Sequence, residues 1–159
     1  MQIRTVAASV GDALHIAPLL RQADRNELVA YGGYPPEICL PDYVADSKYA
    51  YAVYKEACPV LEPLCLFGLQ EHPEDPSIGV PWMVGTDLLT REPITFLRKA
   101  PWFIEQFNSL YPLLANFVDA RNELHVRWLK AMGFTFTDLI PMFGVAQLPF
   151  WRFTRGRYV

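Results

Sequence analysis

Apolar and polar positions follow two rhythms along this chain, and the changes between them sketch a fold. Ile3 to Ala7 has the length and β-branched content of a first strand. After Gly11 and Asp12, the residues Leu14, Ala17, Leu20 and Ala23 return at helical spacing. Asp24 to Tyr34 continues with Leu28 and Val29 as far as Gly32 and Gly33, after which Pro35, Pro36 and Pro41 predict a loop or short turns of helix. Tyr49, Tyr51 and Val53 alternate with small residues, and Leu61 to Leu69 is an apolar run of strand length broken by Glu62 and Pro63. These two runs predict neighbouring antiparallel strands. The polar stretch from His72 to Ser77 marks a surface turn, and Val80 to Thr86 follows as another apolar strand.

The second half keeps the same two rhythms. Arg91, Glu92 and Pro93 read as a helix start with proline in the first turn, leading into Ile94 and Leu97 and, past Pro101, into Phe103, Ile104 and Phe107. Pro101 predicts a kink or a split. Leu113 to Val118 is a fifth strand, Arg121 to Met132 a helix closed by Gly133, and two further strands fit Phe134 to Leu139 and Phe143 to Phe150. The resulting layout is mixed α/β, a mostly antiparallel sheet flanked by helices, with too few helix–strand alternations for a doubly wound sheet.

Composition narrows this picture. A chain of 159 residues that is 52% hydrophobic and 19% charged can enclose one good core, which predicts a single domain over residues 1–159. The net charge of -3 argues against a protein that grips nucleic acid through its phosphates. Arg152, Arg155 and Arg157 are the only local excess of positive charge, and at a chain end they read as a solvated terminus. Cys39, Cys58 and Cys65 form no CxxC pair, so neither a disulfide framework nor a metal site is expected, and a reducing cytoplasm fits. No apolar run approaches a membrane span of roughly 20 residues, and the N-terminus lacks a signal-peptide stretch. The tryptophans Trp82, Trp102, Trp128 and Trp151 read as core and rim packing. HExxH, Gly-x-Ser-x-Gly and Walker-type patterns are absent from the sequence.

The stretch from Leu113 to Phe134 carries a more specific signal: an apolar strand, Asn122 at the opening of a helix, and Gly133 with Phe134 at its close. In chain order and spacing it resembles the strand-then-helix signature of the GNAT (acyl-CoA N-acyltransferase) superfamily. Gly79 to Asp87, Val118 to Asn122 and Phe143 to Ala146 also resemble a GNAT-like family found in tailed bacteriophages. The resemblance covers roughly residues 45 to 155. It implies a GNAT-like fold and an acetyl-CoA or related acyl-CoA thioester held in a V-shaped cleft between Val80–Thr86 and Leu113–Val118. Gly85, Thr86, Phe117, Val118 and Asn122 would then line the cofactor. Splayed strands leave backbone groups free for the amide-rich pantetheine arm, and the next helix N-terminus suits the pyrophosphate.

Two departures accompany the match. The phosphate loop expected over Leu88 to Thr95 has no glycine, and Pro93 removes one N–H donor, so Arg91, Arg98 or Arg121 would have to supply charge instead. Leu129 stands where many GNAT proteins carry the tyrosine that protonates the CoA sulfur. His125, one turn earlier and on the face of Asn122, is the candidate to supply or relay that proton. Asp87, with Glu71 as second choice, is the candidate general base. The implied activity is transfer of an acyl group to an amine on a host protein or small metabolite in the host cytoplasm. The alternatives are a GNAT-shaped protein that has lost catalysis and docks on a host protein, or a virion-associated protein. The Pro- and aromatic-rich segment Tyr31 to Tyr43 is the expected acceptor side or a fixed lid. The edge formed by the last strand is a candidate homodimer contact.

Overall fold

The computed structural model describes residues 2–91 and 93–157; for 93–95 and 97 it describes the backbone alone. Its strands are β1 (Ile3–Ala7), β2 (Tyr49–Ala57), β3 (Val60–Glu71), β4 (Ile78–Gly85), β5 (Leu113–Asp119), β6 (Thr135–Phe143) and β7 (Leu148–Gly156). They form one seven-stranded sheet in the order β1-β2-β3-β4-β5-β7-β6. Every neighbouring pair is antiparallel except β4 and β5. The expected mixed α/β layout is therefore present.

One face of the sheet carries α1 (Val10–Ile16), a 3-10 turn (Ala17–Leu19), α2 (Gln22–Gly32) and α3 (Pro36–Asp46). Ser9 and Asp12 start α1 with a reciprocal capping box. The expected single run from Leu14 through Ala23 is broken at Leu20, which bridges Thr86 of the sheet, while Arg21 donates its backbone N–H to the Gly85 carbonyl at 2.9 Å. Pro36 to Asp46 is one continuous eleven-residue helix in place of the loop or short helical turns expected there. Pro36 sits in its first turn, where the missing N–H costs nothing, and buried Leu40 and Val44 hold the helix against the sheet. The bidentate ion pair from Arg25 to Glu37 ties α2 to α3.

The other face carries α4 (Asp87–Arg91), α5 (Pro93–Leu110) and α6 (Glu123–Ala131). Pro101 neither splits nor ends α5. Phe96, Ala100, Ile104 and Phe107 recur at helical spacing and are all buried, so packing outweighs the one intrahelical bond that Pro101 removes. Glu62 and Pro63 likewise do not break β3. Both stay paired, Glu62 with Lys55 and Pro63 with Tyr54, and the register shift between Val53 and Tyr54 leaves the next residue, Leu64, as a bulge.

The C-terminal segment differs most from expectation. The chain turns at Gly144, whose φ is +70°, and the last strand runs over 148–156. That strand lies inside the sheet between β5 and β6, so the residues from Trp151 to Gly156 are no solvated tail. Phe153 is buried, Arg155 pairs with Asn108, and Arg157 donates to the Asn108 and Ser109 carbonyls. The free edge on this side belongs to β6. Among the described residues no helix is long and apolar enough to cross a membrane, and no cluster of His, Cys, Asp and Glu suits a metal ion.

Candidate functional site

The parallel strands β4 and β5 pair only where they begin, through Ile78 with Leu113 and Gly79 with Leu114. Beyond those residues they separate, and the gap opens toward their C-terminal ends. Thr86 donates its N–H to the Leu64 carbonyl at 2.9 Å, so the alternation of an antiparallel ladder turns the backbone groups of Pro81, Met83 and Gly85 away from β3 and into the gap. This is the V-shaped cleft expected between Val80–Thr86 and Leu113–Val118, already open from Gly79 and Leu114 onward.

Much of the exposed backbone is met by this chain's own side chains. Asn116 donates from Nδ2 to the Pro81 carbonyl at 2.7 Å and accepts the Phe117 N–H on Oδ1 at 2.8 Å. Further along, Asp24 accepts the Gly85 N–H at 2.9 Å, and Glu27 accepts the Asp119 N–H at 2.9 Å. The N–H and C=O of Met83 lie between these contacts, and among the described residues none takes them up.

A cavity of about 200 Å³ passes through the gap. On the α2–α3 side it meets Glu27, Tyr31, Tyr43 and Trp82; on the α5–α6 side it meets Phe103, Phe107, His125 and Leu129. Its walls are mainly aromatic and aliphatic, with few polar groups, which is the usual make-up of a small-molecule pocket.

At the wide end of the gap lies a buried polar network. Arg21 donates to Asp24 at 3.0 and 3.2 Å and to Asn122 Oδ1 at 2.8 Å. Asn122 returns a hydrogen bond from Nδ2 to Asp24 at 2.8 Å and reaches Glu27 at 3.4 Å. Arg21, Asp24 and Asn122 are all buried, and the guanidinium also lies over the Trp128 ring. Asn122 stands at the start of α6 as expected, yet its side chain caps nothing there and spans to α2 instead.

Glu27 occupies the border between network and cavity. Both of its hydrogen bonds end on Oε1, and among the described residues none reaches Oε2. The residue keeps some accessible surface, toward the cavity, but protein encloses its carboxyl. That burial, reinforced by the charges of Asp24 and Asp119, pushes its pKa up to about 8. His125 is buried on α6 with no hydrogen-bond partner for Nδ1. Burial holds its pKa below the ordinary imidazole value, so the ring is neutral at neutral pH.

The residues singled out from the sequence separate into two groups. Gly85, Phe117, Val118, Asn122 and His125 lie on or beside the gap, with Phe117 and His125 in the cavity wall. Leu129 is also in the wall, so the position expected to lack a proton donor does face the cavity. Thr86 is buried and spends its hydroxyl on the Pro63 and Leu64 carbonyls. Asp87, Glu71, Arg91, Arg98 and Arg121 are all exposed. Glu71 accepts from the Tyr111 hydroxyl at 3.0 Å, Arg121 is paired with Asp119, and none of the five lines the cavity. The segment expected as a phosphate loop begins as the short helix α4; Glu92 within it lies outside the described residues, as do the side chains of Pro93, Ile94, Thr95 and Leu97.

Sequence reading missed Arg21, Asp24, Glu27 and Asn116. The first three recur at three-residue spacing and continue into Leu28 and Tyr31 on the same helical stripe. Charges on a stripe that ends in apolar residues were the available signal.

No family model matches the chain, and no curated protein matches it by sequence. Its fold does match solved structures. A GNAT superfamily phosphinothricin acetyltransferase from Sinorhizobium meliloti, in complex with acetyl-CoA, superposes with a TM-score of 0.76 at 12% identity, over 98% of this chain and 89% of that one. An N-acetyltransferase from Staphylococcus aureus gives 0.74 at 12% identity, over 99% of each chain. A GNAT family acetyltransferase from Streptococcus pneumoniae gives 0.63 at 12% identity, over 98% and 99%. At this identity the likeness establishes architecture: the chain has the fold of the GNAT acetyltransferases.

Proposed function

We propose that this chain uses its GNAT fold as an N-acyltransferase, binding an acyl-CoA thioester in the gap between β4 and β5 and passing the acyl group directly to an amine. The observation that carries this reading is the divergence of the two strands beyond Gly79 and Leu114, which leaves the Met83 N–H and C=O facing a cavity. A pantetheine arm, with its two amides, supplies the partners these groups lack.

The chemistry needs few protein groups. The acceptor nitrogen attacks the thioester carbonyl, the C–N bond forms and the C–S bond breaks. The proton lost by the amine ends on the CoA thiolate. In this reading Glu27 takes it on the α2 side, and neutral His125, which holds one N–H and one free lone pair, relays it to sulfur in place of the tyrosine absent at Leu129. Asp87 and Glu71 remain second candidates for the base, handicapped by exposure outside the cavity wall. Arg91 and Arg98, exposed on and beyond α4, are free to meet the nucleotide phosphates from solvent. Tyr31, Tyr43 and Trp82 in the cavity wall support an acceptor on the α2–α3 side. The resemblance to phage proteins points to a host protein or host metabolite, in the host cytoplasm, as the source of the amine.

Isothermal titration of the full chain with acetyl-CoA and with hexanoyl-CoA tests the reading. Saturable binding of either supports it, and absence of binding by both at millimolar ligand overturns it.

One observation favours a second reading. The Gly85 N–H and C=O, which a pantetheine arm would also use, are already taken by Asp24 and by the Arg21 N–H. A GNAT-shaped protein that keeps its slot closed with its own side chains and acts by docking on a host protein explains that occupancy. Acylation of a defined amine by the purified chain, lost in Glu27→Gln, would exclude it.

A further inference from the structure

We infer that the α5 side of the cavity is an acyl-chain pocket, built for an apolar acyl group of about six carbons, linear or aromatic, and not for acetyl. The inference rests on the acyl-CoA reading above and adds the substrate class. Its starting point is polarity along the gap. The pairing of Gly79 with Leu114 closes one end, so the large, charged nucleotide of a CoA thioester must lie at the other, where the strands part toward solvent. The thioester therefore points to the closed end, near Pro81 and Asn116.

The wall at that end is apolar. Helix α5 returns from the end of β4 to the start of β5, which places its C-terminal half over the closed end of the gap. A Cβ built on Gly79 would lie 2.9 Å from the Tyr111 ring, one residue beyond that helix. Phe103, Ile104 and Phe107 come from this half of α5, and Phe67 of β3 packs against them with ring centroids 4.9 Å from Phe103 and 6.4 Å from Phe107. None of these four side chains offers a hydrogen bond.

An apolar cavity of about 150 Å³ stays dry and accepts a benzene ring. The cavity here is about 200 Å³ over both sides of the gap, and along its apolar α5 side an acetyl methyl would leave much of the wall without contacts, whereas a hexanoyl chain or a benzoyl ring would cover it.

Titrating the full chain with CoA, acetyl-CoA, hexanoyl-CoA and benzoyl-CoA reads this directly. Hexanoyl- or benzoyl-CoA is expected to bind at least about tenfold tighter than acetyl-CoA. Ala100→Phe, which pushes a ring into the same wall, is expected to erase that preference within the variant. If that variant does not fold, Phe103→Ala gives the complementary readout, because removing a half-buried ring enlarges the pocket and moves the preferred chain upward by two or more carbons. Equal affinity for acetyl-CoA and the two larger thioesters overturns the chain-length inference and leaves the acyltransferase reading standing. Failure of every thioester to bind overturns both.

Discussion

The two ends of the β4–β5 gap are built from opposite materials. At the closed end the wall is aromatic and one neutral amide, Asn116, spans the strands. At the open end a buried cation, two carboxylates and a second amide fill the space beside Gly85 and Asp119. An apolar cavity persists only where no buried charge must be satisfied, whereas Arg21 and Asp24 can exist inside the protein only because each completes the other, Asn122 completes Arg21 and the Gly85 N–H completes Asp24. The open end is therefore braced by its own side chains, which a CoA nucleotide would pass on the solvent side, and the closed end is the part with room for an acyl group.

The largest test of that contrast is Asp24→Ala. It strips Arg21 of both carboxylate contacts, leaves the Gly85 N–H unpaired, and removes the nearer acceptor of Asn122 Nδ2. Removing one partner of a buried pair leaves an uncompensated charge, and a loss of about 3–5 kcal/mol is expected in urea denaturation. A loss below about 1 kcal/mol would mean that water already reaches the network, and the two ends would no longer differ in kind.

Glu27 sharpens the comparison because it belongs to both ends. Its folded pKa is raised to about 8, above the 4.5 of an ordinary glutamate. The folded state therefore binds the extra proton between these values, and stability is fully present below the lower one and falls as pH rises through about 8. Over that window a decline of a few kcal/mol is expected from this group, on the order of 1.4 kcal/mol per pH unit at most. Glu27→Gln should flatten this part of the stability-versus-pH curve. An unchanged slope would show that its carboxyl is hydrated and ionised in the fold.

How much of this was legible in the sequence follows from the range of the interactions. Strands and helices set by local apolar rhythm stood out, and so did the run from Leu113 to Phe134, because strand, Asn122 and Gly133 act within about one helix and one strand. Proline misled where packing decides: Pro41 and Pro101 each remove a single hydrogen bond, against several buried side chains holding the same helix. Arg155 and Arg157 looked solvated because their partners, Asn108 and Ser109, lie in α5. The site shows the same limit more sharply. Arg21 and Asn122 are 101 positions apart, and no local pattern announces that they meet. Asp87 and Glu71 were attractive for their places at strand ends, but strand ends lie at the surface and the cavity opens deeper, beside α2.

The smallest effect separates structure from ligand chemistry at the closed end. Asn116 satisfies the Pro81 carbonyl and the Phe117 N–H with one amide, so Asn116→Ala frees both. Because the cavity adjoins them, water can replace the amide, and the expected loss is only about 1 kcal/mol. The same substitution removes the bridge that crosses the gap where the thioester is placed, and therefore widens the opening at the closed end. If that end is where the ligand lies, acyl-CoA affinity must change by more than the small stability loss requires, in titrations on protein shown to be folded. If the ligand keeps to the charged end, affinity stays as it was, and the contrast between the two ends then concerns folding alone.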